Sequence, residues 1–173
     1  MRENGFKVIA FDADDTLWYQ VDETRIEPKF TRLDDRRVAD DGGFAQELVE
    51  NSREVLQDLV DKGYVLVFIT MGPEDQVAAF AKAFGIDRFF DFKLSAFDRE
   101  DKADKIAKIL KKGKRKLKLK PSEIVYVDDN PTYLAAAKTR FPELKTVWAH
   151  YRMEPGLLAL NDDMEEMHGT RLF

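Results

Sequence analysis

The sequence contains no cysteine. That excludes a disulfide-stapled scaffold, a thiol nucleophile and any cysteine-ligated zinc site. It has only two histidines, His150 and His168, and their separation matches no metal-ligand spacing. No apolar run approaches the ~18 residues that a bilayer span requires, so no membrane partner is expected. The first residues, Met1-Arg2-Glu3-Asn4-Gly5-Phe6, lack the charged-then-apolar order of a signal peptide. A soluble cytoplasmic protein is therefore expected. Positive charge is also in short supply. Against 33 Asp and Glu stand 28 Lys and Arg, a net −5, so nucleic acid is not an expected partner. The one basic stretch, Lys111 to Lys120, lacks the interleaved aromatics of a strand-binding platform and reads as a solvated helix end.

What is present suffices for a packed core. The chain has 173 residues, 44% hydrophobic and 35% charged. A chain of this length buries roughly 70% of its unfolded surface and reads as one domain spanning residues 1–173. Short apolar runs predict buried strands at Lys7 to Phe11, Val65 to Thr70, Ile124 to Asp128 and Thr146 to Ala149, with a weaker one at Asp91 to Leu94. Helical spacing lies between them, at 51–62, 74–84, 102–110 and 130–138. Asn51 with Glu54 resembles a capping box, Gly63 and Gly85 supply stops, and Asn130-Pro131 reads as an N-cap followed by a first-turn proline. Strands alternating with helices predict a three-layer, Rossmann-like α/β fold: a parallel sheet with helices on both faces. Residues of about 19–44 break the alternation and predict a small β-hairpin flap after the first strand. The core is expected over about 7–149, with no large cap domain, and the extension of about 153–173 carries no functional signal.

In open α/β sheets, ligands bind beyond the carboxyl ends of the strands. Asp12, Asp14 and Asp15 follow the first strand, Thr70 closes the second, and Asp128 and Asp129 close the third. So many carboxylates in one pocket repel one another unless a cation neutralises them. Hard oxygen donors select Mg²⁺, which commonly shares its site with a substrate phosphate. In such a site one Asp can attack phosphorus as a covalent nucleophile, and a second can protonate the leaving oxygen and then activate water. Trp18, directly after these acids, is read either as lining the pocket or as simple packing.

Asp12-Ala13-Asp14-Asp15-Thr16 resembles the DxDxT signature of the haloacid dehalogenase superfamily. Thr70, Lys102 and Val125-Tyr126-Val127-Asp128-Asp129 resemble its second, third and fourth motifs, in order, over roughly residues 7–149. Asp-Thr-Leu-Trp at 15–18, the hairpin and the Asp-Asp pair are closest to the small, capless, magnesium-dependent phosphatase branch. The resemblance implies hydrolysis of phosphate monoesters through an aspartyl-phosphate. Asp12 would be nucleophile and metal ligand, and Asp14 general acid/base, with its main-chain carbonyl on the metal. Thr70 and Lys102 would hold the phosphate, with Met71 beside them and Lys102 preferred to Lys105. Asp129 would ligate Mg²⁺, with Asp128 sharing or supporting that role. Asp15 stands where the broader superfamily has Gly. The expected partner is a phosphorylated small molecule or phosphoprotein, and a homodimer is possible. Phosphotransfer to another acceptor, or a phospho-Asp regulatory or binding module, is the alternative on the same scaffold.

Overall fold

The structure, a computed structural model, describes residues 5–19, 30–40, 42, 45–97, 99–114 and 117–149, and the backbone of 158–161. The strands and helices run β1 (Val8–Phe11), β2 (Trp18–Tyr19), β3 (Phe30–Arg32), β4 (Arg37–Asp40), β5 (Ala45–Leu48), α1 (Ser52–Asp61) and β6 (Val65–Phe68). They continue with α2 (Glu74–Ala83), α3 (Lys102–Gly113), β7 (Ile124–Asp128), α4 (Pro131–Arg140), β8 (Lys145–Ala149) and β9 (Leu158–Asn161). The main sheet has the order β6-β1-β7-β8-β9. Its first four strands are parallel, as the alternating pattern predicts. The fifth, β9, is antiparallel to β8 and comes from a segment in which no strand was expected.

Side chains of a strand alternate between faces, and this alternation divides the core in two. Ile9 and Phe11 of β1, with Leu66, Phe68, Val125 and Val127, pack against Leu56 and Leu59 of α1 and Val77, Phe80 and Ala81 of α2. Val8 and Ala10, with Val67, Ile69, Ile124 and Tyr126, pack against Ile106 and Ile109 of α3 and Leu134 and Ala137 of α4. The three-layer arrangement follows directly, because strands apolar on both faces require cover on both.

The insert after β1 is larger than a hairpin. It forms a second, antiparallel sheet of order β2-β5-β4-β3. Trp18-Tyr19 and Glu47-Leu48, which lie at or beyond the expected bounds, pair to form its stem. Phe30 packs on Phe80 of α2 with its ring tilted by 31° and centroids 4.1 Å apart, and anchors the flap to the core. The described residues contain no large cap. Among them, no helix is long and apolar enough to cross a membrane.

Two local expectations are corrected, and one open alternative is decided. Asp91 to Leu94 is a turn, not a strand: the Asp91 carboxylate accepts the Leu94 N–H at 3.1 Å. Only Phe90 and Ala96, on either side of it, make single bridges to the edge of the sheet. Asn51 caps nothing with its side chain, because it sits in the left-handed region at φ 59°. Of the two readings of Trp18, packing is the one the structure supports: it is buried among Phe68, Phe80 and Phe84. Asn130 does cap α4, accepting the Thr132 N–H at 2.9 Å with Pro131 behind it. Five lysines of the basic stretch, Lys111, Lys112, Lys114, Lys118 and Lys120, are exposed. His150 and His168 lie outside the described residues.

Candidate active site

The site is built by strand register. Phe11 pairs with Phe68 on one side and with Val127 on the other. The next residue of β1's path, Asp12, therefore emerges between Ile69 and Asp128. Its N–H donates to the Val127 carbonyl at 2.9 Å, while the Ile69 N–H donates to the Phe11 carbonyl at 2.8 Å. The chain then closes a tight loop, in which the Asp15 N–H donates to the Trp18 carbonyl and the Leu17 N–H to the Ala13 carbonyl, both at 2.8 Å. Asp15 sits at φ 53°. That left-handed conformation explains why Gly is common at this place, and Asp is among the few other residues that tolerate it.

Asp12, Asp128 and Asp129 each bring a carboxylate oxygen within 4.8 Å of the others. The cation already among them is Lys102, from the first turn of α3. Its Nζ lies 2.6 Å from Asp12 Oδ1 and 3.1 Å from Asp128 Oδ2, and donates to the Ile69 carbonyl at 2.8 Å. The side chain is only 1% exposed. Lys105, one turn on, is also buried but turns elsewhere, donating to Met71 Sδ at 3.2 Å and to the Glu100 carbonyl at 2.6 Å. Of the two lysines, Lys102 is thus the one that reaches the carboxylates.

Burial and like charge shape the titration. Burial raises Asp12 to about 8; the attraction of Lys102 works against this, while Asp128 and Asp14 add to it. Asp129 is raised to about 6 by burial, then by Asp128 and Asp15. Burial pulls the Lys102 ammonium down, but Asp12 and Asp128 outweigh it and hold its pKa above the ordinary lysine value. Among the described residues the site is therefore a set of carboxylates with less positive charge than it needs.

The remaining expected residues fall nearby. Thr70, fully buried at the end of β6's path, accepts the Gly72 N–H on Oγ1 at 3.2 Å. Met71 beside it is 37% exposed. Asp14 lies outside the three-acid cluster, and its Oδ1 accepts the indole N–H of Trp18 at 2.9 Å. Two supporting contacts went unread in the sequence. The Tyr126 hydroxyl donates to Asp128 Oδ2, and the Trp148 indole donates to the Asp129 carbonyl at 2.9 Å. The first was findable, since residues two apart on a strand share a face. The second depends on the Asp128–Trp148 register between β7 and β8, which no local pattern reveals.

A model of the haloacid dehalogenase-like hydrolases matches residues 19–139 of this chain. The chain belongs to that family. Solved structures agree on the fold of this haloacid dehalogenase-like hydrolase. A proposed phosphatase from Clostridium difficile superposes with a TM-score of 0.58 at 17% identity, covering 82% of this chain and 83% of that one. A haloacid dehalogenase-like family protein from Streptococcus pneumoniae gives 0.57 at 14% identity, covering 83% and 84%. The N-terminal part of a Bacteroides fragilis protein, which contains a phosphatase domain complexed with Mg, gives 0.52 at 19% identity, covering 82% of this chain and 36% of that one. No curated protein matches the chain by sequence. The acid-rich end of the sheet is accordingly the candidate active site of this hydrolase.

Proposed function

We propose that the protein is a Mg²⁺-dependent phosphatase that hydrolyses phosphate monoesters through an aspartyl-phosphate on Asp12. The observation that carries this reading is the meeting of Asp12, Asp128 and Asp129 around the buried Lys102 ammonium at the carboxyl ends of β1 and β7. The donor set fits a hard divalent cation: three carboxylates supply only oxygens, and burial raises two of them towards neutrality when no metal compensates them. Asp12 and Asp129, with Asp128 and the Asp14 main-chain carbonyl, would hold Mg²⁺. A bound Mg²⁺ would lower the charge repulsion between carboxylate and phosphate.

The chain's own residues supply the rest. An Asp12 oxygen attacks phosphorus in line, and the bond from phosphorus to the leaving oxygen breaks as Asp14 gives that oxygen a proton. Asp14, now a carboxylate, takes a proton from water, whose oxygen attacks the aspartyl-phosphate and releases inorganic phosphate and free Asp12. Lys102 and Thr70 hold phosphate oxygens, and Met71 lies at the exposed side of that pocket. Positioning and charge compensation carry most of the rate in such a scheme. A single domain with a small flap suits a phosphorylated small molecule or a phosphoprotein as substrate. No nucleic acid or membrane partner is needed.

The test is hydrolysis of p-nitrophenyl phosphate with Mg²⁺ and with EDTA, by wild type and Asp12→Asn. Activity that needs Mg²⁺ and is lost in the variant, together with phosphoenzyme formation, is expected. Turnover retained by Asp12→Asn would sink the covalent scheme.

A further inference from the structure

We infer that Trp18 is a positioning residue for Asp14, fixing its carboxylate through the indole N–H. This rests on the acid/base role proposed for Asp14 above. At 1% exposure Trp18 is among the largest fully buried side chains. Its ring lies 5.8 Å from that of Phe84 at an interplanar angle of 27°, with Phe80 at 5.6 Å and Phe68 at 6.2 Å. Apolar packing alone does not call for an N–H group here, and a buried indole N–H must find an acceptor. The acceptor is Asp14 Oδ1, at 2.9 Å.

The loop does not depend on that bond for its path. Its backbone is closed by Asp15 to Trp18, by Leu17 to Ala13, and by the Val49 N–H donating to the Leu17 carbonyl at 2.9 Å. The indole bond therefore acts on the Asp14 side chain itself. The donor is held by three aromatic rings and cannot follow the carboxylate, so the carboxylate is held to the donor. A bond from a donor held this firmly selects one orientation of the carboxyl group. Asp14 must reach the leaving oxygen and then a water on the same side of phosphorus. Loss of the selected orientation lowers the fraction of molecules ready to react. It leaves Thr70 and Lys102, the phosphate holders, untouched.

The clean perturbation replaces Trp18 with β-(3-benzothienyl)alanine, which puts sulfur in place of N–H and keeps the ring shape; Trp18→Phe serves as a second variant. With p-nitrophenyl phosphate and Mg²⁺, kcat is expected to fall about tenfold or more, as for other residues that orient a catalytic group. Phosphoenzyme decay should slow, and KM should not rise, since phosphate holding is unchanged; it falls with kcat where that decay limits turnover. A near-isosteric swap should leave Tm within about 5 °C. A second readout is independent of turnover. The chain has two tryptophans, hence two indole N–H resonances, and Asp14→Ala should shift that of Trp18 and speed its exchange with solvent. Unchanged kcat in the folded analogue, or an indole resonance indifferent to Asp14→Ala, overturns the inference alone. If the resonance responds but the wild type shows neither turnover nor phosphoenzyme, the phosphatase reading falls and the catalytic purpose of the bond falls with it.

Discussion

Replacing Lys102 with Met tests how the acid cluster is held together. Methionine keeps the length and apolar stem but removes the charge that lies 2.6 Å from Asp12 and 3.1 Å from Asp128. Removing one partner of a buried ion pair costs about 3–5 kcal/mol. In a chain of this length each kcal/mol moves Tm by roughly 2–4 °C, so a fall on the order of 10 °C is expected in EDTA at about pH 9.5, above the value of about 8 at which Asp12 ionises in the wild type. The pH dependence sharpens the test. In the wild type Asp12 titrates at about 8, and above that the folded protein has released its proton. Without Lys102 the same acid is pushed higher, and the folded variant keeps the proton while the unfolded chain has lost it. The folded variant then binds one proton more than the unfolded state, so its stability falls as pH rises, by about 1.4 kcal/mol per pH unit above pH 8. The gap to wild type should therefore widen between about pH 8 and pH 9.5. Mg²⁺ should narrow it by supplying the missing positive charge. The assay is thermal denaturation followed by circular dichroism, with and without Mg²⁺, at both pH values. A variant melting within about 2 °C of wild type at about pH 9.5 would refute the reasoning, because the cost of keeping Asp12 protonated without its cation would then be absent.

Further outcomes follow from the same geometry. Asp14→Asn should mainly slow dephosphorylation, so that phosphoenzyme accumulates on rapid quenching; unchanged turnover would remove Asp14 from the acid/base role. In metal-free wild type, Asp12 and Asp129 titrate at about 8 and about 6, both above their ordinary value. Their extra protons in the folded state make stability fall as pH rises through that window. The Tm gained on adding Mg²⁺ should accordingly grow from acid to alkaline pH, and a gain independent of pH would contradict the shifts. Tyr126→Phe removes the hydroxyl that donates to Asp128. It should cost about 1.5–3 kcal/mol, the worth of a hydrogen bond to a charged group, and urea unfolding would show a smaller loss if that bond contributes little.

The parts of this protein legible in its sequence are those where a local pattern has a single structural solution. Runs such as Val8 to Phe11 and Ile124 to Asp128, apolar on both faces, fit only a covered parallel sheet, and their terminal acids then fall together. The unread parts depend on partners distant in sequence. Lys102 and Lys105 are one helical turn apart and share a face, so spacing could not separate them; Asp12 and Met71, brought in by other strands, do. Phe92 and Leu94 have a strand's composition. They turn instead because the Ser95 hydroxyl, which donates to the Asp91 carbonyl and accepts the Phe68 N–H, ties that segment to the end of β6. The stem of the flap went unseen because Trp18-Tyr19 is too short to register as a strand until Leu48 and Glu47 lie beside it.

That stem has a consequence for engineering. The chain leaves the core through Trp18 and returns through Leu48, and these two residues are paired neighbours. The chain of the core therefore enters and leaves the insert through one socket, whose width is set by strand pairing and not by the length of what is attached, while Phe30 on Phe80 and Arg53 on the Asp35 carbonyl add contacts beside it. Closing a longer loop across a fixed gap costs only about 0.6 kcal/mol for each doubling of its length. Segments beyond Tyr19 are thus exchangeable for longer ones, or for a folded module, provided the stem and the Phe30 contact with Phe80 are kept or replaced. The acid-rich end of the sheet, with Trp18 and Leu48 kept, can thus carry different heads on one handle.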